Sequence, residues 1–187
     1  MQKWKTIASN YIYQTPFGNL RKETCELPNG KVIEDYYVHE YPNWVNAIVI
    51  TTKGQIVLVN QYRHAARDFF LEIPAGKAER GESQQQAIVR EVKEETGMTS
   101  SSEPILLSES KVNPAIQDNT VTTYLITGAM TTSEQFLDDT EEIDINLFNF
   151  DEVENMIHAG AITQLFTVKA FFMATYYLET NKLNLRR

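Results

Sequence analysis

Three glutamates near the middle of the chain are spaced for one face of a helix. Glu91 and Glu95 are four residues apart, and Glu94 lies three residues after Glu91. On a helix of about 3.6 residues per turn these carboxylates are neighbours, and like charges so placed repel by a few tenths of a kcal/mol per pair. Hard divalent cations such as Mg²⁺ prefer carboxylate oxygens and also bind phosphate groups. The spacing favours a metal held by glutamates that binds a diphosphate; a solvated acidic face is the alternative.

The segment that carries these glutamates has start and stop signals for a helix. Ser83 followed by Gln86 three residues later is the pattern of a capping box, and Gly97 is a helix stop. Apolar residues between them recur at helical spacing, which predicts a helix over about residues 84–96. A Pro-Ala-Gly turn at 74–76 precedes it. A loop, a helix and a second loop are therefore expected to position the carboxylates.

Short β-prone runs surround this helix. Apolar runs at 45–51 and 56–62 flank a tight turn and predict two central antiparallel strands, and Asn29-Gly30 predicts a hairpin. Further strands are predicted at 11–13, 21–26, 32–41, 105–107, 121–127 and 143–150. Asp151 is the predicted N-cap of a short helix that Gly160 ends, and a last helix is predicted over 165–178. Strands interrupted by one helix and followed by two more indicate an α/β fold with mixed, largely antiparallel sheets.

Composition limits the class of protein. The chain has 187 residues, 42% of them hydrophobic, and a formal charge of −8. We expect one domain with at most a small appendage, and the charge disfavours binding to nucleic acid or an anionic membrane. Basic clusters are absent beyond the Arg186-Arg187 end. A single cysteine, Cys25, and a start without an apolar leader predict a soluble protein of a reducing compartment, the cytoplasm.

The glutamates belong to a longer pattern of fixed gaps. It reads Gly, five residues, Glu, seven residues, Arg-Glu, an aliphatic, any residue, Glu-Glu, any residue, Gly and an aliphatic. The matching positions are Gly76, Glu82, Arg90, Glu91, Val92, Glu94, Glu95, Gly97 and Met98. This pattern resembles the signature of the Nudix hydrolases. The resemblance implies the Nudix α/β/α sandwich of mixed sheets with an N-terminal antiparallel β extension, divided as 1–42 and 43–187, and cleavage of a nucleoside diphosphate linked to another moiety.

The resemblance also implies how the metal is held. Glu91 and Glu95 match the principal ligands of Mg²⁺, or of Mn²⁺ in its place, and Glu94 matches a carboxylate that supplements them. The backbone carbonyl of Ala75 matches a further ligand.

Four other positions of the pattern match structural roles. Glu82 and Arg90 match an ion pair that orients the metal-binding carboxylates. Gly76 and Gly97 match positions where a Cβ is costly for the backbone.

The substrate class follows from a wider likeness. Gln61-Tyr62-Arg63 and the run from Leu71 to Gly76 resemble ADP-ribose pyrophosphatases and related nucleotide-sugar hydrolases, as does Pro114, 16 residues after the pattern. The resemblance implies ADP-ribose as substrate, with Arg63, Glu72 and Pro114 in substrate binding. Asn113 and Ala115 beside the proline depart from that subgroup, so GDP-mannose, UDP-glucose, NADH and a non-catalytic nucleotide-sugar sensor stay as alternatives.

An acidic run at 138–142 precedes a late predicted strand. Related pyrophosphatases keep a loop with the general base in this region, which implies Glu141 as the base and Glu142 as the second choice. Hydrolysis then proceeds by direct attack of water without a covalent enzyme intermediate, and ADP-ribose gives AMP and ribose 5-phosphate. The N-terminal strands also resemble those that build a homodimer in this group.

Overall fold

The computed structural model describes residues 1–183, which form eleven strands and three helices. The basic end at Arg186 and Arg187 lies outside these residues. The strands are β1 (Lys5–Thr15), β2 (Gly18–Glu26), β3 (Val32–Glu40), β4 (Trp44–Thr51), β5 (Ile56–Arg63), β6 (Asp68–Glu72), β7 (Ala75–Lys77), β8 (Met98–Thr99), β9 (Ile105–Lys111), β10 (Thr120–Thr131) and β11 (Ile143–Phe148). The helices are α1 (Gln84–Thr96), α2 (Phe150–His158) and α3 (Leu165–Thr180).

One compact unit consists of Met1–Asn43 together with Ser110–Val121. Its three-stranded sheet runs in the order β1–β2–β3 and is antiparallel throughout. The predicted hairpin at Asn29-Gly30 is confirmed, since Gly30 has φ 82 and its N–H donates to the Leu27 carbonyl at 2.9 Å. The division at residues 42 and 43, with its dimerising role, stays a prediction.

The second unit contains Trp44–Glu109 and, among the described residues, 122–183. In its sheet, β11, β5, β4, β10 and β8 follow one another, while β6, β7 and β9 pair with β5, β4 and β10. The two faces of β4 are buried in different cores: Val45 and Val49 pack with α1, and Ile48 and Ile50 pack with α2 and α3. Helices therefore cover both faces of the sheet, which confirms the predicted α/β/α sandwich.

The capping signals place α1 as predicted. The Ser83 hydroxyl accepts a hydrogen bond from the Gln86 N–H at 3.2 Å, and the Gln86 side chain accepts from the Ser83 N–H at 3.0 Å. Gly97 ends the helix in the left-handed region, with φ 65. Ala87, Ile88 and Val92 are buried on the inner side of the helix, so its register is fixed by packing as well as by the cap.

The prediction for the second helix was wrong at its start. Its N-cap is Asn149 instead of Asp151, and the helix begins at Phe150. Phe150 is only 3% exposed in the core, and the Glu152 carboxylate accepts from the Asn149 N–H at 2.6 Å. Burial of the aromatic ring and this reciprocal cap select the earlier start, since an N-cap at 151 would leave Phe150 outside the helix. The last helix runs two residues beyond the predicted end at 178.

The sheet around the turn before α1 is more extensive than the sequence predicted. The short strands β6, β7 and β8 were not predicted; β7 pairs with β4 and holds the turn in place. No helix among the described residues is long and apolar enough to cross a membrane.

Candidate active site

Two of the predicted metal ligands lie at the buried side of α1, against the turn that precedes it. Glu95 is 5% exposed, and its Oε2 accepts a hydrogen bond from the Ala75 N–H at 3.2 Å. The Glu91 Oε1 accepts from the Lys77 N–H at 3.3 Å. β7 and the last two turns of the helix therefore face each other across these two carboxylates.

Gly76 makes this close approach feasible. A Cβ added at Gly76 would overlap all three atoms of the Glu91 carboxyl group. The φ of Gly76 is not in the left-handed region, so the requirement for glycine here is space and not backbone conformation. The space that a side chain would fill is the space that the Glu91 carboxylate occupies.

The two carboxylates are electrostatically unfavourable as neighbours. Burial, together with the charge of Glu91, raises the pKa of Glu95 to about 8. Burial also raises the pKa of Glu91, and the adjacent Arg90 opposes that rise. Glu95 forms no ion pair within the described part of the chain. A cation beside Glu95 would therefore be stabilising.

Arg90 organises the other acidic side chains of the pattern. Its Nε and Nη2 donate to the Glu82 carboxylate at 3.0 and 2.9 Å, and its Nη1 donates to Glu94 at 2.8 Å and lies 3.0 Å from Glu91 Oε1. Nη2 also donates to the Lys77 carbonyl at 3.0 Å. Hydrogen bonds to these carboxylates, first of all to Glu82, raise the pKa of Arg90. One guanidinium thus fixes the orientation of three glutamates, and the role of the Glu82–Arg90 pair in orienting metal ligands stays a prediction.

The two predicted substrate-binding residues at the end of β5 and β6 bind each other. The Arg63 Nε and Nη2 donate to the two carboxylate oxygens of Glu72 at 2.9 and 2.7 Å. Glu72 is only 3% exposed, so this bidentate pair compensates a buried charge. The hydrogen bond to Glu72 raises the pKa of Arg63, and the charges of Glu95 and Glu141 raise it further. The pair is therefore adjacent to the metal-site carboxylates, while its contact with substrate stays a prediction.

The loop before β11 brings the predicted general base to the same region. The Glu141 charge contributes to the raised pKa of Glu95. Glu141 and Asp138 form a turn, with the Glu141 N–H donating to the Asp138 carbonyl at 2.9 Å. Glu142 is exposed on the same loop.

The acidic cluster as a whole carries more negative than positive charge. It contains two guanidinium groups and six carboxylates, linked by the hydrogen bonds, ion pairs and charge effects described above: Arg63, Arg90, Glu72, Glu82, Glu91, Glu94, Glu95 and Glu141. Four negative charges remain when all of these groups are ionised. Among residues 1–183, no three His, Cys, Asp or Glu side chains are already gathered as a metal cage. The donor chemistry nevertheless fits a hard divalent cation, because the partly buried oxygens of Glu91 and Glu95 lack sufficient cationic partners.

Pro114 belongs to the first compact unit, whereas the residues of the acidic cluster belong to the second. It lies exposed in the turn at 113–117, which β3 holds: the Tyr36 hydroxyl donates to the Ala115 carbonyl at 2.5 Å, and the His39 N–H donates to the Ile116 carbonyl at 2.7 Å. Its substrate contact stays a prediction.

Sequence reasoning missed Gln135. Its side-chain amide donates to the Glu95 carbonyl at 2.6 Å and to the Ile143 carbonyl at 3.1 Å. Nothing in the local sequence marks this glutamine, because its partners are backbone carbonyls 40 and eight residues away that only the fold brings to it.

The chain belongs to the Nudix hydrolase family. The NUDIX domain matches residues 41–166, and the domain described as "Nucleoside diphosphate sugar hydrolase N-terminal domain" matches residues 4–39. These matches confirm the resemblance drawn from the glutamate pattern.

Individual relatives differ in how much of the chain they share. The ADP-ribose pyrophosphatase of Bacillus subtilis is 40% identical over 95 residues, which is 51% of this chain and 51% of that protein. The chain therefore matches only about half the length of that enzyme. A protein of Bacillus methanolicus named methanol dehydrogenase activator is 32% identical over 176 residues, covering 94% of this chain and 92% of that one.

A solved structure titled "Crystal structure of ADP compounds hydrolase" superposes on nearly the whole chain. Its TM-score is 0.84 at 17% identity, and the match covers 97% of both chains. At this identity the likeness establishes the shared fold.

Proposed function

We propose that this protein hydrolyses the diphosphate linkage of a nucleoside diphosphate-sugar with Mg²⁺ or Mn²⁺, and that ADP-ribose is its substrate. The observation that carries the proposal is the pair of carboxylates, Glu91 and Glu95, packed against the Ala75–Gly76 turn without a compensating cation on Glu95. Two relatives named ADP-ribose pyrophosphatase support the choice of substrate.

Each residue has a defined part in this proposal. Glu91, Glu95, Glu94 and the Ala75 carbonyl bind the cation, which supplies charge neutralisation of the diphosphate and activation of water. Release of Glu94 from Arg90 would make its carboxylate available for this purpose, since Arg90 retains Glu82.

The reaction itself adds water across one phosphoric anhydride. The water oxygen forms a bond to phosphorus, the bridging P–O bond breaks, and ADP-ribose yields AMP and ribose 5-phosphate. Glu141 accepts the proton of the attacking water on a carboxylate oxygen, with Glu142 as the second choice. The Arg63 Nη1, which has no hydrogen bond in the described part of the chain, donates to the substrate, while Glu72 holds the Arg63 side chain by its two hydrogen bonds.

A substrate panel with matched variants tests the proposal. ADP-ribose, GDP-mannose, UDP-glucose and NADH are each assayed with Mg²⁺ and with chelator. We expect turnover of ADP-ribose above the others, dependent on metal, and a loss of about 10²-fold or more in Glu95→Gln. Glu103→Gln, an exposed glutamate elsewhere in the same unit, is the control and keeps the wild-type rate. Binding of nucleotide-sugars without turnover would replace the proposal by the sensor alternative.

A second candidate function is activation of a dehydrogenase. The relative from Bacillus methanolicus named methanol dehydrogenase activator matches 94% of this chain, more than the ADP-ribose pyrophosphatases do. The test adds the purified protein to an alcohol dehydrogenase and measures its rate. An increase with the wild type that Glu95→Gln fails to produce would connect this function to the same acidic cluster.

We further propose a homodimer located in the cytoplasm. β1 supports the dimer, since all of its side chains are exposed and include Ile7, Tyr11, Ile12 and Tyr13. Such a row of exposed apolar side chains is typical of an interface. The buried single thiol of Cys25 is consistent with a reducing compartment.

A further inference from the structure

The end of α1 is bound by the segment that follows β10. The Gly97 carbonyl accepts from the Thr132 and Ser133 N–H groups at 2.9 and 3.1 Å, and the Glu94 carbonyl accepts from the Phe136 N–H at 2.9 Å. The last carbonyls of a helix have no partner inside the helix, so this segment acts as a C-terminal cap. The backbone that carries Glu94 and Glu95 is thereby attached to the start of the loop that carries Glu141.

Gln135 is the side chain that connects this cap to the other end of the loop. We define the Glu141 loop as residues 136–142. The Gln135 amide nitrogen donates to the Glu95 carbonyl at 2.6 Å on one side and to the Ile143 carbonyl at 3.1 Å on the other. Ile143 is buried and is paired with Gln61 in β5, so its carbonyl is a fixed point.

We propose that Gln135 is a positioning residue that closes the Glu141 loop at its base and holds it in register with the metal-binding end of α1. This inference rests on the proposed function, because it assigns the loop to the reaction through Glu141. A single amide with two donated hydrogen bonds fixes both ends of a seven-residue loop relative to the Glu95 backbone. Without it the loop gains conformational freedom, and the Glu141 carboxylate is misplaced relative to Glu95.

Substitution by methionine removes both donors while nearly preserving the volume of the side chain. We expect Gln135→Met to lower kcat for ADP-ribose about tenfold with little change in KM, because Glu141 acts on water and not on substrate binding. Hydrogen exchange of the amides at 136–142 should become several-fold faster. Glu134→Gln, the exposed neighbour, is the control and should change neither quantity.

A double variant separates positioning from simple stability. In a Glu141→Gln background, Gln135→Met should have less than a twofold further effect on kcat, because the group that it positions is already absent. An undiminished effect in that background would overturn the inference, as would unchanged loop exchange or an unchanged kcat in the single variant. If Gln135→Met does not fold, Gln135→Asn, which retains the amide but is one methylene too short to reach both carbonyls, takes its place.

Failure of the proposed function is distinguishable from failure of this inference. If the wild type hydrolyses none of the nucleotides tested, the proposed function fails. Hydrogen exchange tests the positioning of the loop without any activity: if Gln135→Met leaves the exchange rate at 136–142 unchanged, the Gln135 side chain does not hold the loop.

Discussion

At the scale of single residues, Gly76, which packs against the Glu91 carboxylate, sets how closely the segment before α1 approaches the helix. Gly76 contributes no side chain, and the Glu91 carboxylate occupies the volume that a Cβ would need. Replacement therefore moves the end of a flexible side chain and leaves the backbone in place. The consequence is expected in catalysis more than in folding.

Gly76→Ala tests this separation. We expect the melting temperature to change little, since only the Glu91 carboxylate must move, and kcat to fall by about 10²-fold because a metal ligand is displaced. Thermal unfolding and steady-state kinetics measure the two effects. A variant with normal kcat would show that the Glu91 carboxylate is not needed where the structure places it.

The Glu95 carboxyl links metal binding to stability. Its pKa in the folded protein is about 8 against an ordinary value of 4.5, so the folded state binds more protons than the unfolded state between these values. Without metal, stability is therefore fully present below about pH 4.5 and falls as pH rises through 8, by up to a few kcal/mol.

Denaturant unfolding with chelator between pH 5 and about 8.5 measures this dependence. We expect the decrease to disappear when Mg²⁺ is added, because the cation stabilises the ionised carboxylate, and to be largely absent in Glu95→Gln. An equal decrease in Glu95→Gln would assign the effect to other groups.

At the scale of elements, α1 could be predicted almost to the residue, because its signals are local. Ser83, Gln86 and Gly97 lie next to the ends that they define, and the glutamate spacing needs only helical geometry. Arg63 and Glu72 were both singled out, but their pairing joins two strands, β5 and β6, and no local signal in the sequence marks it. Gln135 carries no local signal at all, since its partners are 40 and eight residues away.

The N-cap of α1 contributes stability without touching the reacting groups. Ser83→Ala removes the hydroxyl that accepts from the Gln86 N–H, and we expect a loss of about 1 kcal/mol with kcat unchanged within twofold. Calorimetry should show a decrease of about 2–4 °C in melting temperature. Ser101→Ala, at an exposed serine outside a helix, is the control. A wild-type melting temperature in Ser83→Ala would mean that the cap does not stabilise this helix.

At the scale of the whole molecule, the first compact unit presents one strand, β1, that no other element covers within the described residues. The side chains of β1 are exposed along its entire length, and Ile12 is 56% exposed. The unit also includes Ser110–Val121. Because this segment is far from the N-terminal strands in sequence, composition alone does not predict that it belongs to the same unit.

Light scattering at micromolar concentration tests whether a second copy covers β1. We expect twice the chain mass of 21.5 kDa for the wild type, and the single-chain mass for Ile12→Lys, because a charge in an apolar interface is costly. Leu106→Lys, at an exposed apolar position on β9, should remain dimeric. A monomeric wild type would refute the dimer.

The proposed hydrolysis requires that the acidic end of α1 binds cations, which in turn bind the diphosphate. Anomalous scattering from crystals grown with Mn²⁺ and an ADP-ribose analogue with a methylene bridge between its phosphates tests this claim most directly. We expect manganese density beside Glu91 and Glu95, with the phosphates of the analogue in contact with it. Manganese absent from these carboxylates, with the analogue bound at another place, would contradict this role of α1.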